Sequence, residues 1–305
     1  MRYARGFLLL SIAGFFVYAL WHYREARVFE NLRFDDGLLY ASVAGSLGLT
    51  LCLGALWLFI LQHLSGKPLP LAAGFYVHMV GWLGRYTPGK LGLFVGKALL
   101  GQKLAGSGQA ATASVIYENV LFIASGVVLA AATIGVPGMH GPVLQTTFAV
   151  IAFACLLAAP RCIFWILNRA RHWLPSRLKS VSWQTPLHER YLAVLCIFYC
   201  LPHACAGLGF FALVRLVAPD SGMSWTSAIG ILTAAHLAGI FAAFAPAGLG
   251  VREAALGVLL LPYMPAEIAL SLAILARLTS IVADFIVFVI VMAYTPYAKR
   301  HAGLF

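Results

Sequence analysis

The chain has 305 residues, 62% of them hydrophobic and 10% charged, with a mean hydropathy of +0.89. A soluble domain carries about 25% charged residues, so this composition excludes a soluble enzyme and indicates an all-α polytopic membrane protein. The net charge of +11 sits largely at the ends of apolar runs, a pattern that orients membrane spans and argues against nucleic-acid binding.

The N-terminal apolar run is longer than a signal-peptide core and lacks a clear cleavage site. It reads as an uncleaved helix over about 6–23, with Trp21 and Tyr23 as interface anchors. A mixed-charge loop, 24–36, precedes a second helix over about 38–63. Next comes an interrupted apolar segment, about 70–86 and 90–103, whose second arm is too short to cross a ~30 Å core. Further spans are predicted over about 109–134 and 143–160, separated by an uncharged turn, 135–142. The stretch 161–190 is basic and carries Trp165, Trp173 and Trp183. It reads either as an interfacial element drawn to anionic lipid or as a charge that only fixes orientation. A span over about 191–216, kinked at Pro202, leads to a second interrupted segment, about 225–245 and 250–261, and then to a last helix over about 266–294.

The two interrupted segments are alike. At an offset of 158 residues, His78 meets His236, Gly81 meets Gly239, Pro88 meets Pro246, Leu91 meets Leu249 and Gly92 meets Gly250. Matches at Gly and Pro fix backbone shape, so the shared P-x-x-L-G reads as one kink made twice. Paired interruptions in two halves are the sequence pointer to a transporter's binding site. If each segment dips into the membrane and returns, the basic stretch 161–190 and the tail Lys299-Arg300 fall in the cytoplasm with the N-terminus, as positive residues should. The expected plan is therefore two inverted repeats, 1–138 and 139–305, each with three transmembrane helices and one re-entrant helical hairpin, about 70–103 and 225–261.

Arg85, Lys90, Lys97, Glu118, Arg252, Glu253, Arg277 and Asp284 all fall within apolar segments. Each ionised residue at mid-bilayer costs about 2.5–3.5 kcal/mol on insertion scales, so the group is expected to share a polar interior. Pro88 and Gly89 precede a helical arm, and Gly248 to Gly250 repeat the arrangement. Two helix N-termini beside Arg85, Lys90 and Arg252 would attract an anion. Glu118, Glu253 and Asp284 are candidates to balance the cations or carry protons. His78 and His236 are either proton carriers or packing residues. Lys97 and Lys103 have a second reading as side chains that snorkel to the headgroups, and Glu118 with Arg277 a second reading as a structural ion pair. Cys52, Cys155, Cys162, Cys196, Cys200 and Cys205 lack zinc-type spacing and read as small hydrophobes. No metal, nucleotide or hydrolase motif is present, so no cofactor is expected.

The stretch RYTPGKLG (85–92) followed by Lys97, and Pro246 through Glu253 followed by Arg277, resemble the two hallmarks of the flippase-like membrane region of the lysylphosphatidylglycerol synthase family. Glu118 matches an acidic position after the first. Leu93 stands where many members carry an acid, Lys97 where Arg is usual, and Ala247 where Gly is usual. The resemblance implies a stand-alone relative of the flippase part, without the synthase domain, in a bacterial cytoplasmic membrane. It implies movement of an anionic phospholipid or a polyprenyl- or glycan-linked lipid between leaflets. Two other readings stay open: an accessory subunit presenting lipid-linked substrate to a glycosyltransferase or lipid-synthesis enzyme, and an intramembrane enzyme acting on lipid phosphates.

Overall fold

The computed structural model describes residues 35–87, 92–134, 189–242 and 248–301, without the side chains of 189 and 295–301. The helices expected over 6–23 and 143–160, the turn 135–142, nearly all of the basic stretch 161–190, Cys155, Cys162, and Pro88, Gly89, Lys90 and Pro246 lie outside the described residues. All regular structure among the described residues is helical: α1 (Asp36–Ser65), α2 (Leu71–Leu83), α3 (Lys97–Ala105), α4 (Gly108–Thr133), α5 (Glu189–Phe198), α6 (Cys200–Val217), α7 (Trp225–Phe241), α8 (Val251–Leu260) and α9 (Ala266–His301).

Four stretches are long and apolar enough to cross a membrane: Asp36–Ser65, Gly108–Thr133, Arg190–Val217 and Ala266–Tyr294. Their outer faces expose Phe59, Val127, Leu208 and Val289, as lipid-facing surfaces do. The other helices are short. At about 1.5 Å per residue, the 13 residues of α2, 9 of α3 and 10 of α8 reach ~20, ~14 and ~15 Å. None of these three matches a ~30 Å hydrocarbon core, whereas the 17 residues of α7 reach ~26 Å.

Local chemistry explains the boundaries. Asp35 caps α1 by accepting from the Gly37 and Leu38 N–H groups, at 2.9 and 3.2 Å. Ser107 and Ser224 do the same for α4 and α7, accepting from Ala110 and Ser227. The break between α5 and α6 at Tyr199 has its cause in Pro202, whose missing N–H leaves the carbonyl of Phe198 without its helical partner.

Lipid is as apolar as leucine, so helices here associate through close packing and interhelical hydrogen bonds more than through the hydrophobic effect. The α1–α6 crossing depends on glycine: a Cβ at Gly45 would lie 2.7 Å from the Gly209 Cα. Ser42 Oγ donates to Thr279 Oγ1 at 3.0 Å and ties α1 to α9. Trp57, wholly buried, donates from Nε1 to Ser114 Oγ at 3.0 Å and ties α1 to α4.

Both interruptions are close backbone encounters. Before the first, the chain tightens into a 3-10 turn, Gly84–Tyr86; after it, a π-helical turn, Gly92–Gly96, leads into α3. The Thr87 hydroxyl donates to the Gly84 carbonyl at 2.7 Å and accepts from the Gly92 N–H at 2.9 Å. The chain therefore leaves at Thr87 and returns at Gly92 within reach of one hydroxyl. A Cβ at Gly92 would lie 2.8 Å from the Gly84 Cα; one at Gly248 would lie 2.8 Å from the Gly239 Cα. The far ends of α2 and α3 also come together, since a Cβ at Gly106 would lie 3.1 Å from Lys67 Nζ.

Candidate functional site

Between the two interrupted segments lies a cavity of about 280 Å³. Its wall takes Trp82, Arg85 and Phe94 from the first segment and His236, Gly239 and Arg252 from the second. The long helices add Ser42 and Ser46 from α1, Glu118 and Asn119 from α4, and Arg277, Thr279, Ser280 and Asp284 from α9. Hydroxyls, an amide and ions thus line a space inside a shell of apolar helices, which is how charge becomes tolerable at membrane depth.

Asp284 anchors the first segment to α9. Its carboxylate accepts from Trp82 Nε1 at 2.9 Å and, through Oδ2, from both the Arg85 guanidinium and the Tyr86 hydroxyl. Arg85 also lies over the Trp82 ring, its Cζ 4.3 Å from the centroid. A planar guanidinium held by a carboxylate on its edge and an indole on its face has little freedom left.

Lys97 is treated differently. Its side chain is 1% exposed, and Nζ donates to Glu118 Oε1 and Oε2 at 2.7 and 2.6 Å. Nζ also lies 2.7 Å from His78 Nδ1 and 4.4 Å from the centre of the Trp57 ring. The reading of Lys97 as a snorkelling side chain is therefore corrected: α3 faces it inward, where Glu118 compensates its charge. The reading of Glu118 and Arg277 as an ion pair is corrected as well. Glu118 is taken by Lys97, and Arg277 Nε lies 3.6 Å from Glu253 Oε1.

Glu253 has a second task. Its Oε2 accepts from the Gly250 N–H at 2.7 Å and so caps the start of α8 from within. Gly248 and Gly250 reach this turn at φ of +72° and +82°, a region that side chains with a Cβ rarely enter. The Gly92 N–H is likewise occupied, by Thr87. At both interruptions, then, a backbone donor expected to face an anion is already satisfied by the chain itself. The positive character of the cavity comes from guanidinium groups instead. Arg277 and Arg85 are both near enough to Arg252 to repel it. No hydrogen bond or ion pair among the described residues takes up Arg252, which points at the cavity beside His236.

The structure thus brings Arg85, Glu118, Arg252, Arg277, Asp284 and His236 to one cavity wall, and sets Lys97 and His78 just behind it. Sequence reasoning missed Trp82, Tyr86, Trp57 and Asn119. The signal for Trp82 was its spacing: three residues before Arg85, it falls on the same helical face. Trp57 and Asn119 gave no such signal, because their role depends on which helices become neighbours. Among the described residues no group of His, Cys, Asp and Glu could hold a metal.

A family model described as the lysylphosphatidylglycerol synthase TM region matches residues 4–287. No curated protein matches the chain.

Proposed function

The chain belongs to the lysylphosphatidylglycerol synthase transmembrane-region family, and on that premise we propose that it is a lipid flippase rather than an enzyme. An anionic lipid headgroup binds in the cavity between the two interrupted segments while its tails stay in the bilayer. The observation that carries this reading is the cavity wall itself, where Arg252 faces a half-open space and forms no ion pair among the described residues.

In this reading each interrupted segment is a re-entrant hairpin, and the two halves are inverted repeats that rock about the site to open it to alternate leaflets. Support comes from the short helices α2, α3 and α8, the Gly84–Gly92 and Gly239–Gly248 encounters, and the approach of Lys67 to Gly106. Arg85, Lys90, Lys97, Arg252 and Arg277 supply positive potential; Pro88, Gly89, Gly248 and Gly250 shape the tips. Glu118, Glu253, Asp284, His78 and His236 are the groups able to hold a proton if transport is coupled to one. Both termini face the cytoplasm of a bacterial inner membrane.

The test is lipid movement in reconstituted vesicles, read with a fluorescent anionic phospholipid that an impermeant reductant quenches in the outer leaflet. Wild type should speed leaflet exchange, and Arg252→Ala should slow it at least about tenfold while the protein elutes as a folded species. Equal rates with and without wild-type protein would refute flipping.

A further inference from the structure

Twice a histidine and a glycine one helical turn apart seat a cation, once behind the cavity wall and once on it. In the first half, His78 and Gly81 on α2 meet Lys97 on α3: the His78 Nδ1 is 2.7 Å from Lys97 Nζ, and a Cβ at Gly81 would lie 2.9 Å from the Lys97 Cβ. In the second half, His236 and Gly239 on α7 meet Arg252 on α8, where a Cβ at Gly239 would lie 3.2 Å from the Arg252 Cβ. His78 and Gly81 are the counterparts of His236 and Gly239 in the sequence repeat. Each glycine lets the stem of a cation lie against its own helix. The difference is Glu118. It sits on the cavity wall, whereas Lys97 does not, and both its oxygens are turned onto the Lys97 ammonium. Arg252 has no such carboxylate among the described residues.

We infer that Glu118 is a specificity-determining residue that sets the charge of the headgroup, occupying with its own carboxylate the position a second anionic group would otherwise take. The inference rests on the reading that the cavity receives a lipid headgroup. Among the described residues Arg85, Lys97, Arg252 and Arg277 face Glu118, Glu253 and Asp284. With the histidines neutral, these four cations and three carboxylates leave one positive charge among the three arginines, of which Arg252 has no ion pair among the described residues. One phosphate charge answers it. The second charge of a doubly ionised phosphomonoester falls against the Glu118 carboxylate. Removing the Glu118 charge uncovers Lys97 at the cavity wall and provides for the second charge. One unit charge about 7 Å away, at an effective dielectric near 20, changes affinity by at least about tenfold.

The experiment titrates detergent-solubilised full-length protein with two short-chain probes, dihexanoyl phosphatidylglycerol and dihexanoyl phosphatidic acid, at a pH where the phosphomonoester is doubly ionised. Wild type should bind the phosphodiester at least about tenfold more tightly than the phosphomonoester. Glu118→Gln should shift that ratio at least about tenfold toward the phosphomonoester. Lys97→Met with Glu118→Gln restores a single surplus charge and should return the ratio to that of wild type, which a purely structural role for Glu118 would not produce. A wild type that binds both probes equally, or a folded Glu118→Gln variant with the wild-type ratio, would overturn the inference and leave headgroup binding standing. Failure of wild type to bind either probe would overturn the flippase reading along with it. Where Glu118→Gln does not fold, a wild type without the preference still overturns the inference.

Discussion

Asp284→Asn is the substitution whose cost can be worked out most directly. Asparagine keeps the shape, and its carbonyl oxygen can still accept from Trp82 Nε1, which lies 2.9 Å from Asp284 Oδ1. What it removes is the charge that holds Arg85 and Tyr86. Breaking one partner of a buried ion pair costs about 3–5 kcal/mol, because the remaining charge is stranded. The Arg85 side chain keeps 16% of its exposure and borders the cavity, which returns part of that cost. The expected loss is therefore about 2–3 kcal/mol, at or below the lower end of that range. Arg85→Met alone strands Asp284, with a 3% exposed side chain, and should cost at least as much. The double variant removes both charges and should recover most of the loss, giving a coupling energy of about 2 kcal/mol or more in the mutant cycle. Reversible unfolding of the protein in mixed micelles, titrated with a denaturing detergent, measures all four corners. A coupling below about 0.5 kcal/mol would mean that the pair does not hold the first interrupted segment to α9, and the reasoning would fail.

Arg252→Met should leave stability unchanged within about 0.5 kcal/mol in the same assay, since no carboxylate is stranded by its loss. Arg277→Met, by contrast, leaves Glu253 buried without its cation and should destabilise by about 2 kcal/mol or more. Trp57→Phe removes the bond to Ser114 and weakens the ring beneath Lys97, for an expected loss of about 1 kcal/mol in the same unfolding titration. Gly45→Val forces α1 away from α6 and should cost about 1–3 kcal/mol, seen as a lower thermal midpoint in detergent.

The helical plan was legible because apolar run length and Gly or Pro punctuation are local signals. The spans predicted over about 38–63, 109–134 and 191–216 are found at Asp36–Ser65, Gly108–Thr133 and Arg190–Val217. The run of the last helix beyond 294 to His301 was not foreseen, since its polar end resembles a tail. An ion in an apolar segment must find company, and Arg85, Glu118, Arg252, Arg277 and Asp284 line one cavity, while Lys97 and Glu253 lie off its wall. Partner choice was not readable. Lys97 is 21 residues from Glu118, and Arg85 is 199 from Asp284, so both pairings depend on how α2 and α3 dock against α4 and α9. Nor did the sequence show that Thr87 and Glu253 would use the backbone donors beside the interruptions. That depends on side-chain rotamers at two turns, which no periodicity encodes.

The account stands on two hairpins that enter the membrane from opposite faces and return. Single cysteines at Lys67, Lys103, Asp220 and Glu267, all exposed at the ends of the short helices or of their neighbours, report this when the six native cysteines are replaced. A membrane-impermeant maleimide applied to intact cells, and then to opened ones, reads the side of each. Lys67→Cys and Lys103→Cys should both label only in opened cells, and Asp220→Cys and Glu267→Cys both in intact cells. Labelling of 67 and 103 from opposite sides would mean that the first segment crosses the membrane, and the paired-hairpin mechanism would be contradicted.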